Sequence, residues 1–338
     1  MTNILLIFTG GTIGSTAING TVNTNNKQGY KLLNLFKQTN PNSQDLNFKT
    51  LQPIQLLSEN LIPSVWETLI KAIEAEDIST FDGIIITHGT DTLAFTASAL
   101  GLYFNAIKIP VLLVSSDYPL DHPQANGLAH LLCAIEFIKQ RKEAGVFVPY
   151  KNQNSETLVH LGTRLSSCLQ LSGDFISVQS KAYLQYKESL FQQLNPLNTL
   201  PSIPTKLIAS FSKKILLIKP YPGLDYSHFQ LDQVDIILHD LYHSGTACST
   251  DIWGENNSLA AFIQQCNQRH IDFYMAPAIH TDDAYLSTRI LIEQGANMIW
   301  NMSLESAYVK LLLGYGNFTD KQAITSFLNS NIAFEHIE

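Results

Sequence analysis

Ile84-Ile85-Ile86-Thr87-His88-Gly89-Thr90-Asp91-Thr92-Leu93 decides the fold. The unbroken apolar run predicts a strand over Gly83–Thr87 buried on both faces, as strands of parallel sheets are. It ends abruptly in hydroxyls, an imidazole and a carboxylate, and Leu93–Phe104 then reads as a helix. A strand feeding a helix is the repeating unit of α/β sheets, whose ligands bind where loops leave the carboxyl ends of strands. Asp91 or Thr92 acting as a helix cap accounts for one residue of this group. It does not account for His88, Thr90 and Asp91 together.

The same grammar extends outward on both sides. Ile4–Phe8 is an apolar strand followed by Phe8-Thr9-Gly10-Gly11-Thr12-Ile13-Gly14-Ser15, a second polar, glycine-rich strand end. It lacks both the G-x-G-x-x-G of dinucleotide sites and the lysine of a P-loop. Leu57-Ser58-Glu59-Asn60 precedes a helix over Pro63–Ala75, with Val65, Trp66, Leu69, Ile70 and Ile73 on one face. Strands at Val111–Ser115 and Val146–Val148 flank a helix carrying Leu128, Leu131, Leu132, Ile135 and Ile138. From residue 188 to 212 the pattern breaks around Pro196, Pro201 and Pro204, the mark of an inter-domain connection. Alternation then resumes, with strands at Ile215–Ile218, Val234–Leu238, Phe273–Ala276 and Met298–Trp300. Helices are expected near Ser258–Gln268, Tyr285–Glu293, Glu305–Leu313 and Lys321–Asn329. The expected architecture is two α/β domains: a larger parallel-sheet domain over 1–187, a linker over 188–212, and a smaller Rossmann-like domain over 213–338.

Composition narrows the function. With 338 residues, 45% hydrophobic and only 15% charged, the chain has ample material for a core. A net charge of −8 argues against a nucleic-acid partner. The N-terminus has no basic region followed by an apolar one, and no apolar run reaches the roughly 18–20 residues of a membrane-spanning helix. A cytoplasmic protein with no membrane association is therefore expected. Cys133, Cys168, Cys248 and Cys266 are scattered, without disulfide or zinc spacing. His239-Asp240-Leu241-Tyr242-His243 and His280-Thr281-Asp282-Asp283 hold metal-ligand residue types, but they sit at expected strand ends, where polar turn residues belong.

Thr9-Gly10-Gly11-Thr12-Ile13-Gly14, followed by His88-Gly89-Thr90-Asp91-Thr92, resembles the two signature motifs of bacterial-type L-asparaginases, closest to the cytoplasmic type I branch. Gln28-Gly29-Tyr30 resembles the family's flexible-loop tyrosine and Ser58 its substrate-binding serine. The stretches Ala94–Leu100 and Tyr221–Gly223 are also similar to family segments, so the likeness spans nearly the whole chain. It implies an amidohydrolase that converts L-asparagine, or a related small amide, to L-aspartate and ammonia. Thr12 is implied as nucleophile, with Tyr30, Thr90 and Asp91 as its catalytic partners. Ser58, Glu59, Gly89, Thr90 and Asp91 are implied in holding a small amino-acid substrate. The resemblance further implies no metal and no organic cofactor, and assembly as homodimers or homotetramers.

One departure is chemical. The family carries a lysine in a Gly-Asn-Arg-Thr-Thr-Lys stretch that partners the second threonine and the aspartate. Here the matching segment is Gly162-Thr163-Arg164-Leu165-Ser166-Ser167, which puts Ser167 at the lysine position. Ser115-Ser116-Asp117 also replaces a Gly-Ser-Gln type turn. The alternative is therefore a catalytically weakened relative that binds an amino acid or acts in an amidotransferase-type assembly.

Overall fold

The computed structural model describes every residue except 12, 14, 19–20, 25–28, 198–203, 213 and 338, and leaves the side chains of 15–18, 21–24, 29–30 and 42 undescribed. The chain divides into two compact units, Met1–Ala209 with Ile332–Phe334, and Ser210–Asn331 with Glu335–Glu338.

Unit 1 runs β1 (Thr2–Phe8), β2 (Ser15–Ile18), β3 (Thr21–Thr24), α1 (Gly29–Thr39), β4 (Leu46–Leu51), α2 (Pro63–Glu74), β5 (Gly83–Thr87) and α3 (Leu93–Tyr103). It continues through β6 (Pro110–Val114), α4 (Gly127–Gln140), β7 (Gly145–Lys151), β8 (Thr157–Leu161), β9 (Leu184–Lys187) and β10 (Leu190–Gln193). β2 and β3 form a separate hairpin, while the other strands make one eight-stranded sheet in the order β10-β9-β8-β7-β6-β5-β1-β4. β4, β1, β5, β6 and β7 run parallel, and β8, β9 and β10 extend the sheet antiparallel.

Alternation along the strands sends side chains to two cores. Ile4, Leu6, Phe8, Ile85, Leu112 and Val114 pack under Leu32, Leu33 and Phe36 of α1 and Leu131, Ala134 and Ile138 of α4. α2 and α3 pack together away from that cluster, with Trp66, Leu69, Ile70 and Ile73 of α2 buried. α3 is apolar or small on every side and buried from Leu93 to Leu102 except at Phe95. The β5–α3–β6 and β6–α4–β7 connections step the same way across the sheet, yet their helices cover opposite faces. They therefore differ in hand, and one is the rare left-handed crossover.

The strand order also creates a switch point. From β1 the chain turns toward β4, and from its neighbour β5 it turns the other way toward β6. The crevice between the carboxyl ends of β1 and β5 is where such sheets bind ligands. Leu190–Gln193, within the stretch read as an inter-domain connection, pairs with β9 as a strand of this sheet. Part of that stretch, 198–203, lies outside the described residues.

Unit 2 contains β11 (Ile215–Ile218), β12 (Ile236–His239), α5 (Leu259–Gln268), β13 (Asp272–Ala278), α6 (Leu286–Glu293), β14 (Asn297–Trp300), α7 (Leu304–Asn317) and α8 (Lys321–Asn329). Its four strands are parallel in the order β11-β12-β13-β14. α5 and α6 bury one face against Ile237, Phe273 and Met275, and α7 and α8 bury the other against Ile236, Leu238 and Tyr274. The chain end is held by a fully buried ion pair, Lys310 Nζ to Glu335 Oε1 at 2.6 Å. The same ammonium donates to the Leu328 and Ser330 carbonyls and lies over the Phe327 ring. Among the described residues no helix is long and apolar enough to cross a membrane.

Candidate active site

Three loops meet at the β1–β5 switch point. Beyond β1, Thr9 Oγ1 donates to the Thr87 carbonyl at 2.6 Å, tying the two strand ends together. Leu56 N donates to Thr9 O and Gly11 N to Leu56 O, so Gly10 pairs with the segment leading to Ser58. Gly10 and Gly11 have φ of +105° and +76°, which glycine adopts freely. A Cβ on Gly11 would lie 2.4 Å from Gly89 N, and one on Gly89 would lie 2.3 Å from Ser58 Oγ. Gly11, Gly89 and Ser58 thus stack in a contact that only glycines permit at the first two positions.

Side chains fix the rest. Ser58, buried in a one-turn helix over Ser58–Asn60, donates its hydroxyl to Asp91 Oδ2 at 3.0 Å. Thr92 Oγ1 donates to the Ser58 carbonyl at 3.0 Å. Thr92 is the N-cap residue of α3, but its side chain makes no cap hydrogen bond. The cap reading of Asp91 and Thr92 therefore gives way to one in which both hold Ser58. Thr90 is half-buried and Asp91 exposed, so both are open to a small molecule. Glu59 is exposed, and no described residue hydrogen-bonds its carboxylate.

His88 is buried and engaged at both nitrogens. Nδ1 lies 2.8 Å from the Gly89 carbonyl, which can only accept, so Nδ1 carries the proton. Burial pushes the imidazole pKa down to about 4, the ring is neutral, and Nε2 accepts from Thr96 Oγ1 at 2.9 Å. Thr96 accepts in turn from Trp66 Nε1 at 2.9 Å.

Thr12 lies outside the described residues, one position beyond Gly11. Tyr30 falls in the first turn of α1, and its side chain is likewise outside the described set. The sequence reading missed Trp66 and Thr96, whose only trace was a tryptophan and a hydroxyl on otherwise apolar helix faces. It also missed Cys168, next to Ser167. Burial first, then the charges of Asp117, Asp91 and Asp174, push its thiol up to about 11, so Cys168 lies within electrostatic reach of Asp91. Among the described residues no lysine or arginine forms an ion pair with Asp91.

Two of the histidines singled out in unit 2, His239 and His280, are occupied otherwise, and His243 is exposed. His239 Nδ1 donates to the Asp240 carbonyl at 2.5 Å, and Nε2 accepts from Tyr226 at 2.9 Å. His280 packs edge-on against Trp300.

Known proteins share this architecture. A glutamyl-tRNA(Gln) amidotransferase subunit from Methanococcus maripaludis is 27% identical over 313 residues, covering 86% of this chain and 70% of that one. Its counterpart from Saccharolobus solfataricus is 27% identical over 294 residues, and the match covers 83% of this chain but only 64% of that protein. Among solved structures, the L-asparaginase from Thermococcus kodakarensis superposes with a TM-score of 0.79 at 24% identity over the full length of both chains. L-asparaginase I from Vibrio cholerae gives 0.80 at 21% identity, covering 100% of this chain and 99% of that one. A probable cytoplasmic L-asparaginase from Campylobacter jejuni gives 0.72 at 18%, covering 98% of this chain and 100% of that one. A family model described as the N-terminal asparaginase domain matches residues 3–192, more than half the chain and all of the switch-point loops. This chain belongs to the asparaginase family.

Proposed function

We propose that this protein hydrolyses the side-chain amide of L-asparagine, or of a closely related small amide, through a threonine nucleophile. The observation that carries this reading is the Gly11–Gly89–Ser58 stack. It brings the chain next to Thr12 against Thr90 and Asp91 at the switch point, with Ser58 Oγ already bonded to Asp91.

In this reading Thr12 attacks the amide carbonyl once a neighbouring group takes its proton, a role that falls to Tyr30. The carbonyl oxygen gains charge as the C–N bond prepares to break, and backbone N–H groups at Gly89–Thr90 stabilise it. Ammonia leaves on protonation and Thr12 carries the aspartyl ester. Water oriented by Thr90 then cleaves that ester to release aspartate. Asp91 holds the substrate ammonium, while Ser58 and adjacent backbone N–H groups hold its carboxylate, with Glu59 at the rim. No metal or organic cofactor takes part, and the working form is a homodimer or homotetramer in the cytoplasm.

A second reading has its own warrant. The curated relatives are amidotransferase subunits, and Ser167 stands where the family has its lysine. A protein of that kind would release ammonia within an assembly rather than alone. A coupled ammonia assay on asparagine, glutamine and small peptide amides, with Thr12→Ala as control, tests both. Asparagine turnover abolished by the substitution supports hydrolysis. Binding of asparagine or aspartate in calorimetry without any ammonia from these amides refutes it in favour of the second reading.

A further inference from the structure

The buried hydrogen-bond network behind the site is directional. The Trp66 indole can only donate, so Thr96 Oγ1 must accept from it. The Gly89 carbonyl can only accept, so the neutral His88 ring holds its proton on Nδ1 and offers Nε2 as acceptor. Thr96 therefore spends its single hydroxyl proton on Nε2 rather than on the carbonyl one helical turn earlier, the usual partner of a helical threonine. Each donor and acceptor from Trp66 to Gly89 has one role, and reversing any of them breaks a neighbour.

The end of this chain is a peptide group, not a side chain. In a trans peptide the C=O and the following N–H point in opposite directions. With the Gly89 oxygen drawn onto the buried imidazole, the Thr90 N–H is turned away from the core. Thr90 itself is half-buried and Asp91 after it exposed, so this loop leads out toward solvent. Among the described residues nothing accepts from the Thr90 N–H. Gly89 has no side chain to resist a peptide flip, and Gly11 and Ser58 crowd its Cα.

We infer that Trp66, Thr96 and His88 act as a positioning relay, locking the Gly89–Thr90 peptide so that its N–H is presented to the reacting carbonyl of the substrate. The inference rests on the amide-hydrolase reading. His88 touches no substrate and exchanges no proton in the reaction; it acts through the peptide it holds. A donor oriented before the reaction strengthens as the oxyanion forms, so the relay should act on kcat more than on KM.

Two measurements test this. Nitrogen-15 NMR of the unmodified protein should show His88 as the neutral tautomer protonated at Nδ1. A ring protonated at Nε2 overturns the relay whatever the enzyme's activity. In steady-state kinetics Thr96→Val keeps the side-chain shape and removes the hydroxyl. Losing an oxyanion donor costs about 10²–10³ in kcat, so misdirecting one should cost at least about tenfold, with KM changed less than about twofold. His88→Leu should lose as much. His88→Asn, whose amide nitrogen sits at the Nδ1 position, should recover most of that loss, and His88→Gln, whose nitrogen reaches to Nε2, should not. Equal kcat in wild type and Thr96→Val, or equal loss in the Asn and Gln variants, overturns the inference. Absence of turnover in the wild type would instead count against the hydrolase reading and leave the NMR result to stand or fall alone.

Discussion

Acid should unfold unit 1 through its histidines before its carboxylates matter. His88, His130 and His160 are all fully buried there, and burial lowers each from 6.5 to about 4. For His130 a Ser115 carbonyl bond partly opposes the drop and Lys151 adds to it; for His160 the neighbouring His130 adds to it. An unfolded chain takes up these protons as pH falls through about 6.5, whereas the folded chain takes them up only near pH 4. Between those limits the unfolded state binds more protons, so stability declines on acidification, and below about pH 4 these rings cost nothing further. Each shift is worth about 3 kcal/mol, and the three together on the order of 10 kcal/mol, comparable to the 5–15 kcal/mol total stability of an ordinary domain. Asp117 works the other way: burial and Asp174 raise its pKa, so it gives back some stability as it protonates. The assay is urea unfolding from pH 7.5 to 5, followed by fluorescence of the buried Trp66 and by far-ultraviolet circular dichroism. Near pH 5 the unfolding free energy should fall by about 4 kcal/mol per pH unit. His160→Phe should cut that slope by about a third, because it removes one of the three titrating rings, and among the described residues that ring's only hydrogen bond is the one between Nδ1 and Ser177 Oγ. A change of under about 1 kcal/mol between pH 7 and 5, or titration of His88, His130 and His160 near 6.5 in the folded protein, would refute the reasoning.

Three further outcomes follow from the geometry. Gly11→Ala places a methyl 2.4 Å from Gly89 N at a φ of +76°. It should cost at least about 2 kcal/mol in calorimetry and remove ammonia release. In unit 2, Lys310→Met strands the buried Glu335 carboxylate and should cost about 3–5 kcal/mol in denaturant titrations, while Lys310→Met with Glu335→Leu should recover most of it. A smaller loss in the single variant than in the double one would show that the pair is not coupled. Ser167→Lys restores a cation at the family's lysine position, within electrostatic reach of Asp91, and should raise kcat for asparagine about 10- to 100-fold, read as ammonia release.

The sequence alone determined what is local. The Ile84–Ile86 run, the polar residues after it and the glycines after Phe8 announced two strand ends of an α/β sheet, and the same alternation beyond residue 213 announced a second one. Burial on both faces writes itself into consecutive residues, and the positive φ at Gly10 and Gly11 writes itself as glycine, so both can be read without knowing what lies across the sheet. Tertiary structure decided everything that depends on which distant segments meet. It put β1 between β4 and β5 and so made the switch point, and it extended the sheet through β8, β9 and β10. It made the Asp91 and Thr92 side chains partners of Ser58, 33 and 34 residues away. It joined Trp66 to Thr96 across 30 residues and Lys310 to Glu335 across 25. A hydrogen-bond donor looks the same in sequence whether it faces water or a partner on another element. Only packing, which removes the water, makes that partner obligatory.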